Sequence, residues 1–234
     1  MGAIYKRELK AYFISPVGYV FMGVFLILSG VAFAASTLYA STSSTSVYFT
    51  YLLFSFIVLI PLLTMRLLSE ERKTRTDQLL LTSPVSLHAV VLAKFFAAFT
   101  LFVLTLALSC LNFLTILPYG TLNGALILSQ LAGLVLIGGA FCAIGLFLSA
   151  LTENQLISAI LSIGAIFALL GVGLITPNVQ NDTLRVILKW ISIFDRYYTF
   201  GYGQFDFVSV FYYVSIAVVF LFLTVRVMEK RRWA

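Results

Sequence analysis

Six long, mostly apolar runs set the pattern of the chain, at 17–38, 47–65, 87–116, 122–151, 156–175 and 207–225, with short polar or charged breaks between them. A helix of about 20 residues crosses the roughly 30 Å hydrocarbon core of a bilayer. Each run is long enough, and the pattern predicts an all-α polytopic membrane protein with six transmembrane helices. Pro118-Tyr119-Gly120 is the break inside the longest charge-free stretch, Phe95 to Thr152. Pro61 falls near the end of the second run and predicts a kink there. Thr152-Glu153-Asn154-Gln155 is the tightest polar connection. The fourth run carries Gly133, Gly138, Gly139, Ala143 and Gly145, residues that let helix backbones approach closely in lipid, which places it at a helix interface. Ser158 and Ser162 share one face of the fifth.

The polar stretches predict their own elements. Residues 4–13 put Lys6, Arg7 and Lys10 on one arc of a helix and Tyr5, Leu9, Tyr12 and Phe13 on another. Two readings stay open there: a short helix lying in the membrane interface, or the positive flank of the first span. Ser15-Pro16 redirects the chain. Ser86 is a candidate N-cap for the third helix. That helix, Leu87 to Ile116, is longer than the bilayer needs, so its first turns, with His88 and Lys94, stand in the headgroups or the cytosol, where Lys94 can snorkel. In the segment 176–205, Asp182 or Thr183 can cap a helix whose Leu184, Ile187, Leu188 and Ile191 form an apolar stripe opposite Arg185 and Lys189. Such a helix lies on the outer interface or dips into it as a re-entrant element. Trp190, Tyr197, Tyr198, Tyr202, Tyr212 and Tyr213 read as an aromatic belt or, alternatively, as a substrate gate.

Composition agrees with the pattern: apolar residues make up 61% of the 234 and charged residues 10%. Six of those few charges crowd into Glu70 to Asp77, Glu-Glu-Arg-Lys-Thr-Arg-Thr-Asp. A block this dense cannot lie in hydrocarbon; it projects into water and offers a surface to a soluble partner. Leu79-Leu80-Leu81 and the stop Ser83-Pro84 follow it. Twelve of the fifteen Lys and Arg fall in the N-terminal tail, between Arg66 and Lys94, and in the C-terminal tail. The positive-inside rule then puts both termini and this loop in the cytoplasm. The net charge of +6 sits at membrane flanks rather than on one soluble face, which speaks against nucleic-acid binding.

Candidate chemistry is sparse. Cys110 and Cys142 lie in apolar runs without metal-ligand spacing and read as packing thiols. His88 is the single histidine, and no Walker A, HExxH or GxSxG sequence occurs. No Asp or Glu lies within the spans, where a gradient-driven carrier would usually place its coupling group. The first apolar run is too long for a signal peptide, and Lys6 stands where a myristoylation motif needs Ser or Thr. The chain predicts no catalytic residue, no cofactor and no metal of its own.

The stretch TMRLLSEERKTRTDQLLLTSPVS, from Thr64 to Ser86, resembles the first cytoplasmic loop of ABC-2 type permeases. It is most similar to the bacterial branch of the gliding-motility and multi-copper-enzyme-maturation permeases. KRELKAYFISPVGYVF near the start, TENQLISA and FLFLTVRVMEKRRW extend the likeness over essentially the whole chain. The resemblance implies a non-catalytic permease subunit in a bacterial cytoplasmic membrane. It implies a dimer with a second copy or homologue, each copy docking a cytosolic ABC ATPase that holds the ATP and magnesium. The segment 67–84 would carry the coupling helix, with Glu70, Glu71, Arg72, Thr76, Leu79, Leu80 and Ser83 as ATPase contacts and Glu153 and Asn154 as a second cytosolic contact. Residues 4–13 would correspond to the connecting helix and 176–205 to the external re-entrant region. The partners implied are the ATPase, membrane lipid and an envelope accessory protein, and no nucleic acid. The activity implied is export or force transmission; the alternative is an anchor that recruits an ATPase to an envelope machine without transport. The short outer connections leave no room for an extracellular domain.

Overall fold

The computed structural model describes residues 2–39, 45–75, 86–116, 123–176 and 179–232. Helices account for nearly all of them, and no strand occurs among the described residues. The order is α1 (Gly2–Ile14), α2 (Pro16–Phe33, continued by a π-turn Ala34–Leu38), α3 (Ser46–Thr64), α4 (Ser69–Lys73), α5 (Leu87–Ser109, tightening to a 3-10 turn Cys110–Thr115), α6 (Gly124–Leu151), α7 (Gln155–Ile175), α8 (Asp182–Ile191), α9 (Ile193–Gly201) and α10 (Phe207–Arg232). Six of these, α2, α3, α5, α6, α7 and α10, are long and apolar enough to cross a membrane. They alternate in direction, so the bundle has one end that carries α1, α4 and the charged connections and an opposite end that carries α8 and α9.

Local signals explain the boundaries. Pro16 opens α2 after Ser15, whose backbone is extended; its missing N–H is harmless in a first turn. Asparagine side chains cap three helices. Asn123 accepts from Leu126 N, Asn154 from Leu156 N at 2.9 Å, and Asn181 from Thr183 N and Leu184 N. The cap of α8 is therefore Asn181, ahead of the expected Asp182 or Thr183 by one or two residues, because the extended backbone and the accepting oxygen both belong to Asn181. Ser86 holds the N-cap position of α5, but its hydroxyl makes no capping bond. Asp206 caps α10 through Val208 N, Ser209 N and the Ser209 hydroxyl. The Ser209 bond holds this carboxyl below the usual range.

The helix α6 is the centre of the bundle. It packs against α3, α5, α7, α9 and α10, and its glycines make that possible. A Cβ on Gly138 would overlap the Phe102 ring, and one on Gly145 would overlap the Thr64 side chain. Phe25, Phe56 and Phe102 meet across α2, α3 and α5 at ring separations of 5.1–6.4 Å, and all three are buried.

Neutral polar groups join the helices at the opposite end. The Gln130 amide accepts from the Thr45 hydroxyl at 2.8 Å and donates to Ser46 Oγ at 2.8 Å and to the Gly201 carbonyl at 3.1 Å. Ser29, Tyr48 and Asn112 form a second cluster. The tyrosines counted in a belt divide: Tyr197 and Tyr213 are buried, whereas Tyr198, Tyr202 and Trp190 are exposed. Arg196 lies over the Tyr212 ring at 4.5 Å and the Trp190 ring at 5.7 Å, a cation–π arrangement. No residue of α8 is buried, so its apolar stripe faces outward.

Candidate functional site

The short helix α4 is where the charges of the loop meet the bundle. Glu70 and Glu71 begin it and Arg72 and Lys73 end it, the distribution a helix dipole favours. Its two carboxylates part company. Glu70 stays half-exposed, 3.4 Å from the Arg66 guanidinium one turn back. Glu71 turns inward and meets Lys94 of α5, Nζ to Oε1, at 2.7 Å.

Lys94 is 1% exposed. It does not snorkel to headgroups; α1 and the loop cover it and present oxygens. Its ammonium donates to Glu71 and, at 2.9 Å, to the Leu67 carbonyl, and lies 3.4 Å from Glu8 Oε1 of α1. An ammonium has three donors and no acceptor; two of them are hydrogen-bonded here, and the Glu8 carboxylate adds an ion pair. Arg7 lies outside this pair, 2.6 Å from Glu8 and 3.6 Å from Glu71. The loop thus does not simply project into water: half of its first carboxylate pair is a structural group. Removing a buried charge from water is affordable only when it is paired and hydrogen-bonded.

The other side of α4 is fixed to α6. The Ser149 hydroxyl accepts from Leu68 N and Ser69 N, both at 3.1 Å, and donates to the Met65 carbonyl at 3.0 Å. Three backbone groups that a tight turn leaves without helical partners are so satisfied by one side chain. Arg72 donates to the Leu151 carbonyl at 2.8 Å and pairs with Glu153 at 3.0 Å. Arg231 of α10 donates to the Ala150 carbonyl. The charged end of α6 is accordingly held by α4 and by the C-terminal helix.

The predicted contact residues sort as follows. Glu70, Glu71, Arg72, Glu153 and Asn154 cluster at this end; Arg72 and Glu153 join the first and second candidate contacts directly. Asn154 spends its side chain on capping α7. Thr76, Leu79, Leu80 and Ser83 lie outside the described residues. Glu8, Lys94 and Ser149 were missed by sequence reasoning. A lysine at the border of an apolar run reads as a snorkelling residue, and nothing local shows that Glu8 and Glu71 fold back on it. Among the described residues no cluster of His, Cys, Asp and Glu could hold a metal.

Six membrane-length helices, with the glycine-lined α6 at their centre and the ionic connections gathered at one end, define a polytopic membrane protein. Residues 31–226 match the family described as ABC-2 family transporter protein, and the chain belongs to that family. It is a membrane component of an ABC transporter. The comparison with curated proteins gave no match.

Proposed function

We propose that this chain is the permease subunit of an exporter or force-transmitting envelope complex in a bacterial cytoplasmic membrane, paired with a second permease copy and driven by a separate cytosolic ATPase. The charged end faces the cytoplasm in this reading, with both termini, as the distribution of Lys and Arg favours. ATP binds and is hydrolysed in the partner.

The observation that carries the proposal is the seating of α4. It is tied to α6 through Ser149 and Arg72 and to α5 through Glu71 and Lys94. A displacement imposed on this helix from the cytosol passes to both neighbours, to α6 through Ser149 and Arg72 and to α5 through the Glu71–Lys94 pair. Glu70, Lys73 and Glu153 face solvent and are the charges placed to set register on a partner, while Glu71 and Arg72 brace the helix from behind. Leu79 and Leu80 offer a small apolar patch whose burial against a partner would add to those charges.

Purification from native membranes tests this. A Walker-motif ATPase should accompany the wild-type chain and be lost from Glu70→Lys combined with Leu79→Asp and Leu80→Asp. No ATPase in either sample would remove the proposal. ATPase that accompanies the chain, yet is never stimulated by lipid or peptide cargo after reconstitution, would favour an anchor that recruits without transport.

A further inference from the structure

We infer that Lys94 is a positioning residue that makes the N-terminal helix α1 move with the charged loop, so that α1 is a second arm of the coupling element and not a float on the membrane surface.

The polar anchors of α1 and the residue that follows it fall on one stripe. Tyr5, Glu8, Tyr12 and Ser15 repeat at i, i+3, i+7 and i+10, one face of a helix. Each has a partner elsewhere in the fold. The Tyr5 hydroxyl pairs with Thr100 Oγ1 at 3.0 Å. Glu8 meets Lys94 at 3.4 Å. The Tyr12 hydroxyl donates to the Leu63 carbonyl at 3.0 Å, and the Ser15 hydroxyl accepts from Arg66 at 3.3 Å. Lys6, Arg7 and Lys10 lie on the exposed side. A helix that merely rested in the interface would bury apolar groups on this face and need no polar partners.

Of these contacts, the Glu8–Lys94 pair is the buried one that joins α1 to α4, beside the more exposed pairing of Arg7 with Glu71. The helix α1 packs on α2 and α5, and a half-open cavity of about 280 Å³ lies between Glu8, Ala11 and Tyr12 on its side and Glu70, Glu71 and Thr74 on the loop side. Charges bridge the two where close packing does not. The Lys94 ammonium holds Glu8 and Glu71 together with the Leu67 carbonyl, and the more exposed Arg7 spans the same two carboxylates. Lys94 lines this cavity with Glu8 and Glu71, but its own side chain is 1% exposed, and the pairing is screened less than a surface pair. Movement of α4 therefore carries Glu71, Lys94 and Glu8 as one unit. The coupling role of that unit rests on the ATPase-driven reading; its mechanical integrity does not.

The test uses the full chain in lipid nanodiscs with Cys110→Ser and Cys142→Ala, spin-labelled through Lys10→Cys and Lys73→Cys, both exposed. Pulsed EPR should give a narrow α1–α4 distance distribution that broadens about twofold in Lys94→Met and in Glu8→Leu. The second variant leaves Lys94 paired with Glu71 and guards against a folding failure in the first. A reference pair at the opposite end, Leu128→Cys with Tyr202→Cys, should keep its width in both. An unchanged α1–α4 width in Glu8→Leu, or equal broadening at both ends, would overturn the inference. In the ATPase complex, with labels at Lys10→Cys and at His88→Cys, exposed on α5, nucleotide should shift α1 relative to α5 in the otherwise unchanged chain and not in Glu8→Leu. A nucleotide shift of α1 that survives Glu8→Leu would overturn it too, whereas a wild-type complex in which nucleotide moves neither α1 nor α4 would sink the ATPase reading and leave the latch standing.

Discussion

The two ends of this bundle solve the same problem with different chemistry. Each must tie together helices that carry few polar groups. At the opposite end Gln130 does so with one neutral amide, bonded to Thr45, Ser46 and the Gly201 carbonyl. At the charged end Lys94 does so with one ammonium, bonded to Glu71 and the Leu67 carbonyl and ion-paired with Glu8. Both are buried, at 0% and 1% exposure, and both stand at the hub of three elements. The neutral hub leaves only unsatisfied hydrogen-bonding groups when it is broken. The ionic hub leaves unpaired charges, which the interior does not tolerate, so its elements separate or move as one. That difference suits the end that would receive force from a partner, and it suits the other end to be a passive closure.

The largest effect should follow from breaking the ionic hub. Lys94→Met leaves Glu71 and Glu8 beside each other with the more exposed Arg7 in place of their buried cation, and removing one partner of a buried pair typically costs about 3–5 kcal/mol. Denaturation in mixed micelles should show that loss. Neutralising both carboxylates as well, with Glu8→Gln and Glu71→Gln, should recover much of it, since a neutral site of similar volume has no charge to desolvate. A loss below about 1 kcal/mol for Lys94→Met would mean the site is wetter than its burial implies.

Gln130→Leu should come second. It removes three hydrogen bonds worth about 0.5–1.5 kcal/mol each, partly offset by the apolar replacement, and the Gly201 carbonyl keeps the Ser46 hydroxyl at 3.3 Å. We expect about 2 kcal/mol in the same assay, with no dependence on salt. Equal losses for Gln130→Leu and Lys94→Met would erase the distinction between the ends.

How much of this was legible in the sequence follows from the range of the interactions. Helices of membrane length announce themselves in composition, and the glycines of α6 announced a close interface, now seen against Phe102 and Thr64. These are properties of single segments. The hubs are not. Thr45 and Gln130 are 85 residues apart, and Lys94 lies 23 residues from Glu71; no local pattern pairs them. Charge density drew attention to the loop from Glu70 to Asp77, but density alone could not show that Glu71 faces inward while Glu70 faces out. That division depends on which turn of α4 meets α5. Ser149 was hidden for the same reason: a serine in an apolar helix reads as a local back-bond to its own helix, whereas here it satisfies the turn leading into α4.

The smallest effect on stability should come from a pair inside the charged end itself, and it sharpens the comparison most. Glu153 is 66% exposed and pairs with Arg72 at 3.0 Å. Arg72 also donates to the Leu151 carbonyl, so it keeps a partner when the carboxylate goes. An exposed pair of this kind contributes about 0–1 kcal/mol and is screened by salt. Glu153→Gln should therefore leave the denaturation midpoint nearly unchanged. If Glu153 lies on the docking surface, the same variant should slow association with the ATPase and flatten its dependence on ionic strength, because exposed charges act chiefly on encounter rates. Surface plasmon resonance on the nanodisc-embedded chain would read both. A variant with intact stability and impaired association separates the outward charges from the inward hub. Marked destabilisation by Glu153→Gln would instead make the turn between α6 and α7 part of the same buried network as Lys94, and the outer charges would lose their standing as partner contacts.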